Sequence, residues 1–168
     1  MADNSGHLRP WIEGRPKAAS AEDRLKWFRA HYDVAATEIL AFLDQAGLSL
    51  DTRRVLDIGC GDGAIDLGLC DKANPARLLG LDLVATDIDD LRGRAADVGI
   101  TELPKNLEFG LCTPTQIPLP ESSVDVVISW SVFEHVSNPV AVLSELRRVI
   151  RPGGFMFLQI WPLYWSQH

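Results

Sequence analysis

Three glycines and two aspartates have the residue types and spacing best suited to ligand chemistry. Gly59, Gly61 and Gly63 follow an apolar run, and glycine lets a backbone turn tightly and approach a ligand with no Cβ in the way. Asp57 precedes them at the end of that run, where an acid is otherwise a poor choice. Asp82 ends a second apolar run 23 residues after Gly59, near the spacing of roughly 20 at which an acid accepts hydrogen bonds from a ribose. The pattern predicts a nucleoside-binding loop.

The loop does not by itself identify the nucleoside. Residues 59–64 satisfy the G-x-G-x-x-A pattern of dinucleotide-binding loops. A nicotinamide-dependent oxidoreductase therefore stays open as an alternative, and residues elsewhere in the chain must distinguish it from proteins that bind another nucleoside.

Strands and helices alternate along the chain that carries these residues. Ser20 and Asp23 resemble a capping box before an apolar helical periodicity that reaches Gly47, which predicts one long helix or two abutting ones. Buried strands are predicted at 53–58, 77–81, 107–111, 124–130 and 155–160. Further helices are predicted at 64–73, from a Thr86 cap to about Val98, and from an Asn138 cap to the break at residues 152–154.

This order of elements predicts an α/β fold with a doubly wound, mostly parallel sheet. Such sheets bind ligands beyond the carboxyl ends of their strands. The glycine loop and Asp82 both lie at such ends, so one ligand can touch both.

Composition and charge restrict the partners. The 168 residues suit one domain, and 23 acidic against 16 basic residues give a net charge of −7, which disfavours a nucleic-acid partner. Three widely spaced cysteines predict reduced thiols, no metal site and a cytoplasmic location. No signal peptide or apolar run of roughly 20 residues is evident, so neither export nor a membrane span is predicted.

Five sequence blocks follow one another in the order in which a known family has them. They are VLDIGCGDG at 55–63, GLD at 80–82, IPLPESSVDVV at 117–127, FEHV at 133–136 and ELRRVIRPGG at 145–154. Together they resemble the class I S-adenosylmethionine-dependent methyltransferases, in the subgroup that acts largely on small molecules. The resemblance implies a Rossmann-like fold and transfer of a methyl group to an unidentified acceptor, with S-adenosylhomocysteine as product. A non-catalytic cofactor-binding or scaffold domain is the main alternative.

The resemblance also implies a cofactor site at the first two strands. Asp57 and the backbone of Gly59 and Gly61 would hold the methionine end of the cofactor, and the loop residue Cys60 belongs to the same group. Asp82 would accept hydrogen bonds from the ribose hydroxyls.

Four later residues complete the implied cofactor site. Leu83 would cover one face of the adenine, and Ser129 and Trp130 would face the methionine end near the transferring methyl. Thr113 stands near the place where the family has an acid for the adenine amino group. A hydroxyl accepts a hydrogen bond more weakly than a carboxylate, so this departure predicts weaker adenine binding than the family pattern implies.

Two residues after the fourth strand are candidates for catalysis. His135, or Glu134 beside it, is placed to act as a base toward an oxygen acceptor. The alternative for both is a packing or capping role in the loop.

The resemblance ends before the family sheet does, because that sheet continues through a further helix and a closing hairpin. The sequence therefore predicts a polar extension at 1–19 and a methyltransferase domain at 20–168 that is incomplete at its C-terminal end. Strand 155–160 would then be an apolar edge. We expect that edge, or the patch of Trp161, Tyr164 and Trp165, to be covered by chain beyond residue 168 or by a second copy in a homodimer.

Overall fold

The computed structural model describes residues 20–160. The predicted extension at 1–19 and the aromatic residues Trp161, Tyr164 and Trp165 lie outside the described residues.

Five strands form one sheet in the described part of the chain. They are β1 (Arg54–Ile58), β2 (Arg77–Asp82), β3 (Leu107–Leu111), β4 (Val124–Trp130) and β5 (Ile150–Gln159). Their order is β3-β2-β1-β4-β5, and every neighbouring pair is parallel. The predicted α/β, doubly wound sheet is thus confirmed, and the first six residues of β4 are buried, as expected for a strand covered on both faces.

Helices cover both faces of this sheet. They are α1 (Ala21–Arg29), α2 (Ala36–Gln45), α3 (Ala64–Lys72), α4 (Ile88–Ala96) and α5 (Pro139–Val149), with a 3₁₀ turn at Phe133–His135. Leu146 and Val149 of α5 share one core with Leu56 of β1. Ile39 of α2 packs in a second core with Val55, on the opposite face of β1.

The first predicted helix is continuous, because a π-helical segment joins α1 to α2. The capping box is present, because Oγ of Ser20 accepts a hydrogen bond from the amide of Asp23 at 3.1 Å. Residues Ala30–Ala35 are π-helical and join α1 to α2. There the carbonyl of Tyr32 lies so close to Gly68 of α3 that a Cβ at residue 68 would overlap it. The glycine therefore permits the close approach of the two helices.

The start of α4 differs from the prediction. Its N-cap is Asp87, whose Oδ1 accepts hydrogen bonds from the amides of Asp89 and Asp90 at 3.1 and 3.0 Å. Thr86, the predicted cap, instead donates from Oγ1 to the carbonyl of Gly61 at 3.0 Å. An aspartate one residue nearer the helix competes better for its amides because its charge complements the positive helix end.

The last strand also begins earlier than predicted. The sequence predicts that residues 152–154 separate α5 from a strand starting at Phe155. In the structure β5 starts at Ile150, which pairs with Val124, and the register shifts between Val124 and Val126. Such an irregularity accommodates a proline and two glycines, because it interrupts the ladder of hydrogen bonds.

None of the helices within residues 20–160 combines the length and the apolar character that a membrane crossing requires.

Candidate functional site

A cavity of about 370 Å³ opens beyond the carboxyl ends of the strands. Its wall includes Gly59 after β1, Asp82 and Leu83 at the end of β2, Thr113 after β3 and His135 after β4. The order of strands along the sheet reverses between β1 and β4, and a doubly wound sheet binds its ligands at such a reversal.

The first glycine of the loop after β1 has a backbone conformation and surroundings that leave no room for a side chain. Gly59 has φ +83°, and a Cβ there would overlap the side chain of Val132, which follows β4. The amide of Gly59 donates to the carbonyl of Leu81 at 2.7 Å. The loop is thus fixed between β2 on one side and the segment after β4 on the other.

Asp82 is tied to the same loop. Its Oδ2 accepts a hydrogen bond from the amide of Gly61 at 2.9 Å, and its Oδ1 accepts from the amides of Leu83 and Val84 at 2.6 and 3.3 Å. A carboxylate has about four acceptor positions, so these bonds leave capacity for a hydroxyl on a ligand. Gly61 is further held through its carbonyl by Thr86.

Leu83 and Thr113 form the far side of the cavity. Leu83 is 57% exposed although it is apolar, which leaves its side chain available to cover a flat ring. Thr113 pairs with Gln116 in a short bridge, its amide donating to the Gln116 carbonyl at 3.1 Å.

Asp57 lies inside the protein rather than on the cavity wall. It is 4% exposed, and its Oδ1 has no hydrogen-bond partner within residues 20–160. Burial raises the pKa of Asp57 to about 6, the neighbouring carboxyl of Asp66 opposes that rise, and the charge of Asp82 adds to it. A buried, partly unsatisfied carboxylate of this kind favours binding of a cation.

The two candidate bases are placed differently. His135 lines the cavity, whereas Glu134 does not and keeps its Oε2 buried with no hydrogen-bond partner in the described region. Their 3₁₀ turn points successive side chains in different directions, so only one of the two reaches the cavity wall.

Residues 56–158, more than half of the sequence, match the model of a family described as a methyltransferase domain. The chain belongs to this methyltransferase family.

Individual relatives and structures agree with this assignment. The chain is 28% identical over 160 residues to the ubiquinone biosynthesis O-methyltransferase of Parvibaculum lavamentivorans, covering 93% of this chain and 55% of that protein. It is 39% identical over 103 residues to a protein of Mycolicibacterium smegmatis named a probable S-adenosylmethionine-dependent methyltransferase, covering 61% and 35%. This methyltransferase-family chain spans about half the length, or less, of the curated relatives it matches.

A solved structure supports the fold. The crystal structure of a SAM-dependent methyltransferase from Aquifex aeolicus superimposes with a TM-score of 0.63 at 23% identity, covering 86% of this chain and 76% of that one.

Three of the predicted cofactor residues face the interior of this methyltransferase-family domain. Ser129 is buried, and its Oγ donates to the carbonyl of Ile58 at 2.9 Å. The ring of Trp130 stacks on Phe157, with a centroid distance of 6.2 Å. Cys60 is also buried. None of the three is on the cavity wall, so their contact with a cofactor stays a prediction.

Sequence reasoning did not single out three residues of this region. Val132 fills the space beside Gly59. Ser131 has φ +56° and donates from its amide and hydroxyl to Oε1 of Gln159, at 3.0 and 2.8 Å. Asp66 is fully buried beside Asp57. Only Asp66 carried a signal, since a carboxylate stands between Ile65 and Leu67 in an otherwise apolar helical turn.

Proposed function

We propose that this chain transfers a methyl group from S-adenosylmethionine to a small-molecule acceptor and leaves S-adenosylhomocysteine. The observation that supports this most is the cavity at the carboxyl ends of the parallel strands in a chain of the methyltransferase family. Its wall brings together Gly59 of the glycine loop, Asp82 and His135, which come from three different strand ends.

The residues present fit the parts of that cofactor. The unpartnered Oδ1 of Asp57 is a suitable acceptor for the ammonium of the methionine end. Asp82 would accept hydrogen bonds from the ribose hydroxyls. The exposed side chain of Leu83 would cover the adenine, and Thr113 offers a hydroxyl to the adenine amino group.

The bound cofactor would supply a methyl group already activated by its sulfonium. The protein is then left with the tasks of orienting the acceptor and excluding water. The relative from P. lavamentivorans is named an O-methyltransferase, and an oxygen acceptor must lose a proton. His135 is the residue of the cavity wall that we assign to take it.

A non-catalytic S-adenosylmethionine-binding or scaffold domain is the second candidate. Thr113 favours it, because a hydroxyl holds the adenine amino group more weakly than a carboxylate. A nicotinamide-dependent oxidoreductase remains compatible with residues 59–64 alone, but the match over residues 56–158 opposes it.

Two measurements separate these functions. Calorimetry with S-adenosylhomocysteine, repeated with NAD as competitor, should show binding that NAD does not displace; displacement by NAD would support the oxidoreductase instead. S-adenosylmethionine with an isotope-labelled methyl group is then incubated with the protein and a small-molecule cell extract. Label found in an extract compound by mass spectrometry supports catalysis, and binding without label in any compound supports the scaffold.

The other partners stay predictions. The net charge of −7 disfavours nucleic acid, and the three free thiols suit a cytoplasmic location. β5 forms one edge of the described sheet, so pairing with a second copy remains our prediction. Light scattering at several protein concentrations tests it, and a monomer at all of them would contradict it.

A further inference from the structure

The segment that follows β3, residues 112–117, forms part of the cavity wall along its whole length. Residues 113–116 of this β3 loop are exposed to solvent. Exposed segments with few buried contacts open easily, so the position of Thr113 depends on what holds the two ends of the loop. At the first end, the amide of Cys112 donates to the carbonyl of Asp82 at 2.9 Å.

The other end of the β3 loop is held by two side chains of α5. Oε2 of Glu145 accepts a hydrogen bond from the amide of Ile117 at 3.0 Å. Nη2 of Arg148 donates to the carbonyl of Ile117 at 2.9 Å, and Nη1 donates to the carbonyl of Leu119 at 2.7 Å. Both polar groups of the Ile117 backbone are therefore bound, much as a neighbouring strand would bind them.

Prolines explain why side chains take this role. Pro118 and Pro120 flank Leu119 and carry no amide hydrogen, so this stretch cannot continue a regular ladder of hydrogen bonds. Ile117 is buried and packs in one core with Leu146 of α5. Its backbone polar groups must therefore find partners within the protein.

Glu145 and Arg148 also bind each other, which restricts both side chains. Nε and Nη2 of Arg148 donate to Oε1 and Oε2 of Glu145, each at 2.8 Å. These bonds, together with the one from the Ile117 amide, lower the pKa of Glu145 to about 2, so this carboxylate is ionised at neutral pH. A guanidinium presents its donors in one rigid plane, and a single arginine can thus bind a carboxylate and two carbonyls at once.

One peptide group connects these contacts to Thr113. It is the peptide between Gln116 and Ile117, whose N–H donates to Glu145. Its carbonyl accepts a hydrogen bond from the amide of Thr113 at 3.1 Å. Because a peptide group is planar, holding its N–H also fixes the direction of its carbonyl. The side chains of α5 therefore restrict the Thr113 backbone through a single rigid unit.

We propose that Arg148 is a positioning residue of the cofactor site: together with Glu145 it fixes the β3 loop so that Thr113 meets the adenine amino group. The inference rests on the proposed function, in which Thr113 offers its hydroxyl to that group. Arg148 is not on the wall of the cavity, so it acts through the loop and not by contact with the cofactor.

The test compares two ligands that differ at one group. In S-inosylhomocysteine an oxygen replaces the amino group of the adenine in S-adenosylhomocysteine. Calorimetry gives the ratio of the two affinities in the wild type and in Arg148→Ala. The wild type should prefer S-adenosylhomocysteine about tenfold, and the variant less than about threefold, since the difference is the scale of one hydrogen bond. A general loss of structure would weaken both ligands equally and leave the ratio unchanged.

Arg147→Ala is the matched control, because Arg147 is the neighbouring arginine of α5 and is exposed. Its affinity ratio should equal that of the wild type. Arg148→Lys is measured where Arg148→Ala fails to fold. An ammonium cannot replace the planar set of donors, so this variant should lose about half of the preference or more.

A second measurement needs no ligand. Hydrogen exchange followed by NMR reports how readily each backbone amide opens to solvent. In Arg148→Ala the amide of Thr113 should exchange about tenfold faster or more, because the loop loses its contacts at one end. The amide of Cys112, which is bound to Asp82 at the other end, should keep its rate. Arg147→Ala should change neither rate.

The outcomes distinguish this inference from the proposed function. No binding of S-adenosylhomocysteine by the wild type would remove the proposed function, and this inference with it. Binding with equal wild-type affinity for the two ligands would leave the proposed cofactor in place but overturn the inference, because Thr113 would then not meet the amino group. A wild-type affinity ratio in a folded Arg148→Ala, or an unchanged exchange rate of Thr113, would overturn the role of Arg148 alone.

Discussion

The backbone amide of Gly61 donates a hydrogen bond of 2.9 Å to Oδ2 of Asp82, which lies 21 residues further along the chain. The carboxylate that ends β2 therefore fixes the conformation of the glycine loop that follows β1. Any ligand that binds the remaining lone pairs of Asp82 also depends on this loop.

Replacing Asp82 with alanine should weaken S-adenosylhomocysteine binding by about 1.5–3 kcal/mol, the scale of hydrogen bonds to a charged group. The variant loses the acceptor for the ribose and for the Gly61 amide together. Calorimetry measures the change, and Asp97→Ala, at an exposed aspartate that ends α4, serves as the control with unchanged affinity. Equal affinity in the two variants would remove Asp82 from the site.

Gly59→Ala should destabilise the fold and abolish tight cofactor binding. The residue would have to adopt φ +83°, which costs an L-residue about 1–2 kcal/mol, and its Cβ would overlap Val132. The matched control is Gly93→Ala in α4, where a new Cβ meets nothing within 4 Å and should stabilise the helix by about 0.5–1 kcal/mol. Urea unfolding measures the change in the free energy of unfolding in both variants. Changes of the same sign would contradict the predicted difference between residues 59 and 93.

Asp66→Asn should stabilise the protein increasingly as the pH rises above about 4. Asp66 has a raised pKa in the folded state. Its contribution to folding stability is therefore fully present below its unfolded-state pKa of 3.8 and is lost as the pH rises toward its folded-state pKa. Asparagine stays neutral and loses nothing. Thermal unfolding from pH 4 to pH 8 should show a widening gain in melting temperature over the wild type. A constant difference across this range would show that Asp66 does not titrate in this way.

Asp125→Asn should show the opposite pH dependence. Asp125 accepts from the Arg54 amide at 2.7 Å and pairs with the guanidinium groups of Arg54 and Arg151 at 2.8 and 2.7 Å. These contacts lower its pKa, so its stabilising effect is present above the unfolded value of 3.8 and is lost as the pH falls below it. Because the side chains of Arg54 and Arg151 are each 44% exposed, we expect a loss of only about 1–2 kcal/mol at pH 7.

The control for Asp125 is Asp89→Asn. The side chain of Asp89 is 92% exposed in its pair with Arg92, so urea unfolding should show a change within about 0.5 kcal/mol at every pH. A loss at Asp125 that stays constant down to pH 3 would mean that packing rather than charge is responsible.

His135→Ala should slow methyl transfer to an oxygen acceptor about 10²-fold or more while S-adenosylhomocysteine affinity stays nearly unchanged. The expectation follows from the position of His135 on the cavity wall. Ser137→Ala, at another residue of that wall, is the control. The rate of transfer of a labelled methyl group is measured. A wild-type rate in His135→Ala would show that the histidine is a packing residue and not a base.

The sequence by itself determined the elements and the strand ends that matter. Continuous apolar runs predict buried strands because a parallel sheet is covered on both faces, and the predicted and observed bounds of β1, β3 and β4 agree within one residue. Gly59 and Asp82 could be placed at the same edge for that reason. Which of two neighbouring residues caps a helix was harder to predict. The N-cap of α4 is Asp87 rather than Thr86.

Only the tertiary structure decided which side chains meet. Asp66 lies beside Asp57 because α3 packs back on β1 and β2 with that face inward, and Val132 lies over Gly59 because of how the segment after β4 returns to the loop. His135 reaches the cavity wall while Glu134 does not. Residue spacing encodes which face of one element is apolar, but the contacts between elements depend on the rotation and register in which they pack, and those are properties of the whole core.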